Sequence, residues 1–366
     1  MIILSSLGKY FEYLPLFIFS FLLAILVTPI VGIIAKKFKI YDNPPGIRID
    51  STAKRRIHNV RKLRLGGIAV IIPFVIITLF NLPITKNLFI FILCVLILLT
   101  VGVIDDIFDI SAKYQLIFQV FVALITTLSG IDINYISRPL GGLFFINQFP
   151  VNIFGNTVYL LSALVTFVWI LFIINAIKWM AGTDGLAEGN VSIAAIIIAL
   201  LSIRFFTHDT AVMGFIFSGL MLGFLFYNFY PSKIFSGSSG KSVYGYIIAI
   251  LAIYSGAKLA STIIVLSIPI IDALYVIYKR LKEEKPKSIS QLIKINDKRH
   301  LHYRLLDLGY TQRQVALIEY IFTLIIGIIA LIVTGFHKAI ILAFILLVIM
   351  ILIFIVDKKS KSKNRY

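Results

Sequence analysis

Eleven apolar segments recur along the 366-residue chain, and most could cross a bilayer as a helix of about 20 residues. They lie near residues 13–35, 65–83, 88–107, 114–128, 158–177, 191–206, 211–230, 243–255, 262–277, 315–334 and 339–356. Since hydrocarbon leaves backbone polar groups unsatisfied, we predict an all-α integral membrane protein with about eleven transmembrane helices. Residues 1–356 are expected to form a single polytopic domain, followed by a basic, disordered tail at 357–366.

The basic residues are distributed unevenly between the loops. Of the 35 lysines and arginines, 29 fall in the tail and in the loops that follow odd-numbered segments, above all 36–64 and 279–314. By the positive-inside rule, this places the N-terminus outside and the C-terminus in the cytoplasm of a multi-pass cell-membrane protein. The net charge of +18 is therefore expected to meet anionic membrane lipids rather than nucleic acid.

Three carboxylates end the third apolar segment, in the sequence GVIDDIFDIS at 102–111. If the helix continues through them, Asp105, Asp106 and Asp109 share one side of its last turns. Like charges this close repel one another unless a cation or basic side chains neutralise them. The acidic cluster is therefore a candidate functional site that could hold a cation.

Three further polar clusters are predicted at the same face of the membrane, at 175–189, 236–242 and 297–305. In the first, Asn175 and Lys178 share a helical side, and Gly182 permits close approach of the backbone to a ligand. The segment SGSSGKS at 236–242 combines backbone donors with the Lys241 ammonium, which favours phosphate binding, although it lacks the Walker spacing.

The last cluster contains two histidines, His300 and His302. On a helix, residues two apart would diverge by about 200°. An extended or turning segment could aim both rings at an anionic ligand, together with Arg304. The i, i+4 histidine spacing of a zinc site is missing from this segment.

Taken in order, these clusters resemble the polyprenyl-phosphate N-acetylhexosamine-1-phosphate transferases. The resemblance rests on the motifs NPPG, RLGGIAV, GVIDDIFDIS, NA…GTDGLAEG, PSKIFSG…G, IPIIDALYVIYKRL and RHLHYRLLDLGYTQRQ. It implies an eleven-span bundle with a cytoplasmic site that transfers a sugar phosphate from a UDP-sugar to a polyprenyl phosphate and releases UMP, normally with Mg²⁺. The histidine segment is similar to that of the branch acting on N-acetylglucosamine or a related amino sugar.

The resemblance also implies residue roles. Asp105 and Asp106 match the paired family aspartates, one of which acts on the lipid phosphate. The resemblance therefore makes them the candidate catalytic residues and candidate metal ligands. Gly182 and Asp184 match positions near the uracil, and Phe235 matches an aromatic residue that stacks on it. Together with the clusters above, the candidate substrate-binding residues are Asn175, Lys178, Gly182, Asp184, Phe235, Lys241, His300, His302 and Arg304.

Two family carboxylates are replaced in this chain. Ala181 stands where the family has an aspartate, Ser238 occupies the position usually assigned to Mg²⁺, and Lys178 and Lys241 are additional cations. These replacements argue against the usual metal site of the family. They also leave two alternatives to an enzymatic function. One is a non-catalytic scaffold that binds nucleotide sugar or lipid phosphate, and the other is a transporter.

Overall fold

The computed structural model describes residues 11–43, 60–137, 142–153, 156–256, 259–288, 291–292, 295, 297–333 and 337–363. The prolines and glycine of the predicted NPPG motif lie outside the described residues. The helices are α1 (Leu14–Lys37), α2 (Gly66–Asn81), α3 (Lys86–Phe108), α4 (Ala112–Leu128), α5 (Leu160–Met180), α6 (Leu186–Arg204), α7 (His208–Asn228), α8 (Gly237–Tyr254), α9 (Leu259–Val265), α10 (Ser267–Glu283), α11 (Leu301–Asp307), α12 (Gln312–Ile332) and α13 (His337–Lys363).

Each predicted apolar segment contains helix, so the all-α prediction is confirmed. The ninth segment differs from expectation because it is divided into α9 and α10 at Leu266. Among the described residues, seven helices are long and apolar enough to cross a membrane: α1, α3, α5, α6, α7, α12 and residues 340–360 of α13. The chain is thus a multi-pass membrane protein, while the total of eleven spans and their orientation stay predictions.

Within the described residues, three short antiparallel strand pairs lie between the helices. Strands β1 (Tyr41–Asp42) and β2 (Lys62–Leu63) pair between α1 and α2. The loop between α4 and α5 contains two further pairs: β3 (Tyr135–Ser137) with β4 (Leu143–Phe145), and β5 (Pro150–Ile153) with β6 (Asn156–Tyr159).

Helix α8 lies at the centre of the bundle, where α3 and α5 pack against it. Close packing at its first turn depends on Gly102 of α3, because a Cβ there would lie 2.5 Å from the Ser238 carbonyl oxygen. The ends of α3 and α8 are therefore held together at the level of the acidic cluster.

The end of the chain differs from the predicted disordered tail. Helix α13 continues through Lys363, so residues 357–363 are helical. Two tertiary contacts explain this: the Asp357 carboxylate pairs with Lys279 at 3.0 Å, and the Ser360 hydroxyl donates to Asp307 at 3.2 Å. Pairing of this kind offsets the loss of chain entropy that would otherwise favour disorder.

Candidate active site

The four predicted polar clusters meet at one end of the bundle, which we call the polar end. The acidic cluster contacts the glycine-rich segment through Asp106, which accepts a hydrogen bond from the Ser238 amide. The same segment contacts the end of α5 through Lys241, whose ammonium donates to the Ala181 carbonyl at 3.3 Å. Gly182 in turn lies so close to the histidine segment that a Cβ would collide with His302. The predicted convergence therefore occurs.

The three acids do not share one helix side as a continuous helix would arrange them. Helix α3 ends at Phe108, and Asp109 is its C-cap residue in the left-handed conformation, with a φ of 50°. Its carboxylate instead accepts from Arg64 at 2.6 Å, and Arg64 also pairs with Asp42 at 2.5 Å. Although burial opposes its charge, the surrounding carboxylates raise the pKa of Arg64, so the guanidinium is fixed as a cation.

Asp105 and Asp106 have different environments although both are buried. The two Asp106 oxygens accept from the backbone amides of Ser238, at 2.8 Å, and Ser239, at 3.1 Å. The carboxylate thereby satisfies donors that the first turn of α8 would otherwise leave unpaired. Asp105 makes no side-chain hydrogen bond or ion pair with the part of the chain that the structure describes, and its catalytic role stays a prediction.

The glycine-rich segment does not form the phosphate-binding turn expected from its sequence. Residues 237–242 are the start of α8, and Asp106 already occupies two of the amides expected to bind phosphate. Ser236 at the N-cap donates its hydroxyl to the buried Glu188 at 2.5 Å. Of the groups in this segment that were expected to bind phosphate, Lys241 keeps that role as a prediction.

Asp184 and Phe235, the predicted uracil-side residues, lie around one lysine. The Asp184 carboxylate accepts from the Ser232 amide at 2.9 Å and lies 3.7 Å from the Lys62 ammonium. That ammonium also lies 5.9 Å from the centre of the Phe235 ring. Sequence reasoning missed Lys62 because it counted the residue only as part of a basic loop.

The histidine segment changes from extended to helical between its two histidines, which brings both rings together. His300 is the N-cap of α11 with extended backbone angles, and His302 follows inside the helix. The rings are nearly parallel, at 4°, with centroids 5.8 Å apart. His300 also bonds Asp272 of α10, with 2.7 Å between Nδ1 and the carboxylate oxygen. Sequence reasoning missed Asp272, although it lies in one of the motifs that carry the family resemblance.

Arg304 contacts side chains of α10 and α13. Its guanidinium pairs with Asp357 and lies 5.0 Å from the Tyr275 ring, and its Nε donates to the Arg299 carbonyl. These contacts fix α11 in place. They make Arg304 a residue that holds the histidine segment, whereas direct contact with substrate stays a prediction.

Asn175 and Lys178 both face α4, as expected for residues on one helical side. The Asn175 amide donates to Gln119 at 2.9 Å, and the Lys178 ammonium donates to Gln115. Both side chains lie in the last turns of α5, close to the carbonyl that receives Lys241. Their predicted binding to substrate remains untested by these contacts.

The described residues of the polar end do not form a complete protein-only shell for a magnesium ion. Mg²⁺ requires an octahedral shell of oxygen ligands, usually anchored by carboxylates. Asp106 is engaged by two amides, and Ser238 replaces the family acid beside it. In the described ranges, no group of three His, Cys, Asp or Glu side chains could hold a metal ion. An ion at Asp105 would depend on substrate phosphates and water for the rest of its shell, and the metal role of Asp105 and Asp106 stays a prediction.

The helical bundle and its buried polar end define the class of multi-pass membrane proteins with a polar site at one end of the bundle. Residues 88–256 match the sequence profile of glycosyl transferase family 4. A probable undecaprenyl-phosphate N-acetylglucosaminyl 1-phosphate transferase of Bacillus subtilis (strain 168) is 32% identical over 86% of this chain and 83% of its own length. The chain therefore belongs to glycosyl transferase family 4.

More distant relatives agree with this assignment. The decaprenyl-phosphate N-acetylglucosaminephosphotransferase of Mycobacterium leprae (strain TN) is 26% identical over 83% of this chain and 78% of its own length. The undecaprenyl-phosphate alpha-N-acetylglucosaminyl 1-phosphate transferase of Escherichia coli O157:H7 is 29% identical over 60% and 59%, respectively. These relatives are named as enzymes, and the chain is accordingly a phosphoglycosyl transferase rather than a scaffold or a transporter.

Proposed function

We propose that the protein transfers N-acetylglucosamine-1-phosphate from UDP-N-acetylglucosamine to a polyprenyl phosphate, releases UMP and so starts a lipid-linked cell-envelope glycan. The family resemblance and the names of the relatives support this reaction. The observation that carries it is the loop at 181–185. This loop joins the uracil-side residue Asp184 to the position at Gly182 that touches His302. One donor molecule could therefore contact both groups of residues.

In this mechanism the lipid phosphate attacks the phosphorus that carries the sugar. A new phosphorus–oxygen bond forms, the bond to the bridging oxygen breaks, and UMP leaves with that oxygen. Asp105 accepts the proton of the lipid phosphate, because its carboxylate makes no hydrogen bond or ion pair with the described residues. Asp106 holds the start of α8 beside it.

Asp184, Phe235 and Lys62 bind the nucleotide half of the donor. An aromatic face can stack on a base, which is worth about 1–3 kcal/mol. The lysines at the end of α5 and in α8 lie where they could screen the diphosphate. The positive-inside distribution supports a cytoplasmic position for this end, at a membrane rich in anionic lipids.

The test is transfer by purified protein supplied with labelled UDP-N-acetylglucosamine and undecaprenyl phosphate. Lipid-soluble label and an equal amount of UMP are expected for the wild type. Asp105→Asn should lose both products. Asp209→Asn is the matched control, because Asp209 is exposed in the first turn of α7, at the opposite end of that helix from the site. Hydrolysis of the donor without lipid-linked product would contradict the proposal.

A further inference from the structure

Asp272 and His300 form a buried pair whose geometry places a proton on one nitrogen of the imidazole. Asp272 Oδ2 lies 2.7 Å from His300 Nδ1, while Oδ1 accepts from the Leu301 amide at 2.8 Å. The two side chains are 8% and 1% exposed. An ionised carboxylate is an acceptor only, so the shared proton belongs to Nδ1 of the histidine.

The other ring nitrogen of His300, Nε2, lacks a partner in the described part of the chain. With a proton on Nδ1, a neutral imidazole presents a lone pair at Nε2. This Nε2 atom is buried and has no hydrogen-bond partner in the described part of the chain. Buried polar atoms are nearly always paired, so an atom left in this state inside a candidate site points to a ligand group as the missing partner.

The position of the ring connects it to the donor site. The His300 ring lies beside those of His302 and Trp179, with centroids 5.8 Å and 6.0 Å away. His302 in turn contacts Gly182 in the loop that carries Asp184. In the described part of the chain, the titratable groups that interact with Asp272 are Glu319 of α12, His300 and His302.

We propose that Asp272 is a positioning residue that keeps the His300 proton on Nδ1, so that Nε2 accepts a hydrogen bond from a hydroxyl or acetamido N–H group of the donor sugar. This inference rests on the proposed function. It assigns His300 to the sugar rather than to phosphate, because an unprotonated Nε2 cannot donate a hydrogen bond to a phosphate oxygen.

Asp272→Asn tests this assignment because the amide must orient in one way. Its oxygen is required by the Leu301 amide, so its NH₂ group faces His300 and donates to Nδ1. The histidine proton then moves to Nε2 with little change in shape. We expect the transfer rate to fall about 10²- to 10⁴-fold. The matched control is Asp209→Asn, an exposed acid in the first turn of α7, which should transfer like the wild type.

Nitrogen-15 NMR of histidine-labelled protein reads the tautomer independently of activity. The chain has five histidines, and the spectrum of His300→Asn identifies the His300 signals. The wild type should show a protonated Nδ1 and a bare Nε2, and Asp272→Asn should show the reverse. UDP-N-acetylglucosamine should shift the Nε2 signal, whereas UDP alone should not.

A double-mutant cycle separates positioning from a purely structural role. His300→Asn removes Nε2, so adding Asp272→Asn should cost little more than the single variant. Additive losses would overturn the proposal, as would a protonated Nε2 in the wild type, a shift with UDP alone, or near wild-type transfer by Asp272→Asn. A wild type that transfers nothing would refute the proposed function, while the NMR spectra would still decide the tautomer.

Discussion

The Asp106 carboxylate accepts a hydrogen bond at 2.8 Å from the backbone amide of Ser238, the residue that replaces the family's metal-associated acid. Asp106 is thus hydrogen-bonded to the first turn of α8, a helix with most of its residues buried. Asp106 stabilises the fold around the site, while its neighbour Asp105 has no such partner in the described chain. The two acids should therefore respond differently to the same substitution.

We expect Asp105→Asn to abolish transfer without lowering thermal stability. Loss of a positioned base typically lowers the rate about 10²- to 10⁴-fold. Asp106→Asn should also lose activity, but in addition it should destabilise the protein by about 1–2 kcal/mol, the usual cost of a lost helix cap. Transfer rates and melting temperatures in detergent, measured on both variants, check this difference. Equal melting temperatures would refute the capping role.

Asp184→Ala and Phe235→Ala should weaken binding of the UDP-sugar more than binding of the lipid phosphate. Both residues surround Lys62 on the proposed uracil side, where stacking contributes about 1–3 kcal/mol. Calorimetry with each ligand separately measures the two affinities. Phe226→Ala is the control, because that ring is 71% exposed on α7. Similar losses for both ligands would contradict the division of the site.

The sequence predicts the helices well because hydropathy is a local property, and each apolar segment contains helix. It also predicts the convergence of the four clusters, since charge distribution assigns them to one face. The roles of Lys62, Asp272 and Asp357 depend instead on tertiary partners that sequence spacing does not reveal. The sequence likewise does not predict where α3 ends, because no glycine or proline marks its last residue.

Asp357→Ala should lower both stability and activity. The carboxylate pairs with Arg304 and accepts from the Tyr275 hydroxyl at 2.8 Å, so it holds α11 and its histidine. Hydrogen bonds to a charged group are worth about 1.5–3 kcal/mol, and we expect a loss of stability in that range. Melting temperature and transfer rate check it, with the exposed Lys358→Ala as control. An unchanged rate would show that α13 does not support the site.

Acid should loosen the segment before His300. Burial alone would raise the pKa of the Asp297 carboxyl. The hydrogen bond and charge of Arg280 and the charge of Arg299 outweigh burial, so the pKa is lowered. A lowered folded-state pKa contributes stability above the unfolded value of about 3.9, and this contribution is lost as pH falls through the folded value. Asp297→Asn should therefore melt lower than wild type at pH 7, with the difference shrinking below about pH 4. A constant difference would contradict this.

Lys178 and Lys241 are expected to take over part of the charge neutralisation that Mg²⁺ supplies in related enzymes. Both ammonium groups contact residues around the end of α5, one through Gln115 and the other through the Ala181 carbonyl. Fixed cations at this position could screen the diphosphate and the charge that develops on departing UMP. A purely structural alternative is that they neutralise the negative end of the helix dipole.

Transfer in excess EDTA distinguishes these two roles of the lysines. The wild type should retain most of its activity, whereas Lys178→Asn combined with Lys241→Ser should lose it and regain little when Mg²⁺ is added, because Ser238 supplies no carboxylate for the ion. If the lysines only stabilise the helix end, the double variant should instead melt lower and remain as active as the wild type at a permissive temperature. Complete inhibition of the wild type by EDTA, reversed by Mg²⁺, would show that the lysines do not substitute for the metal.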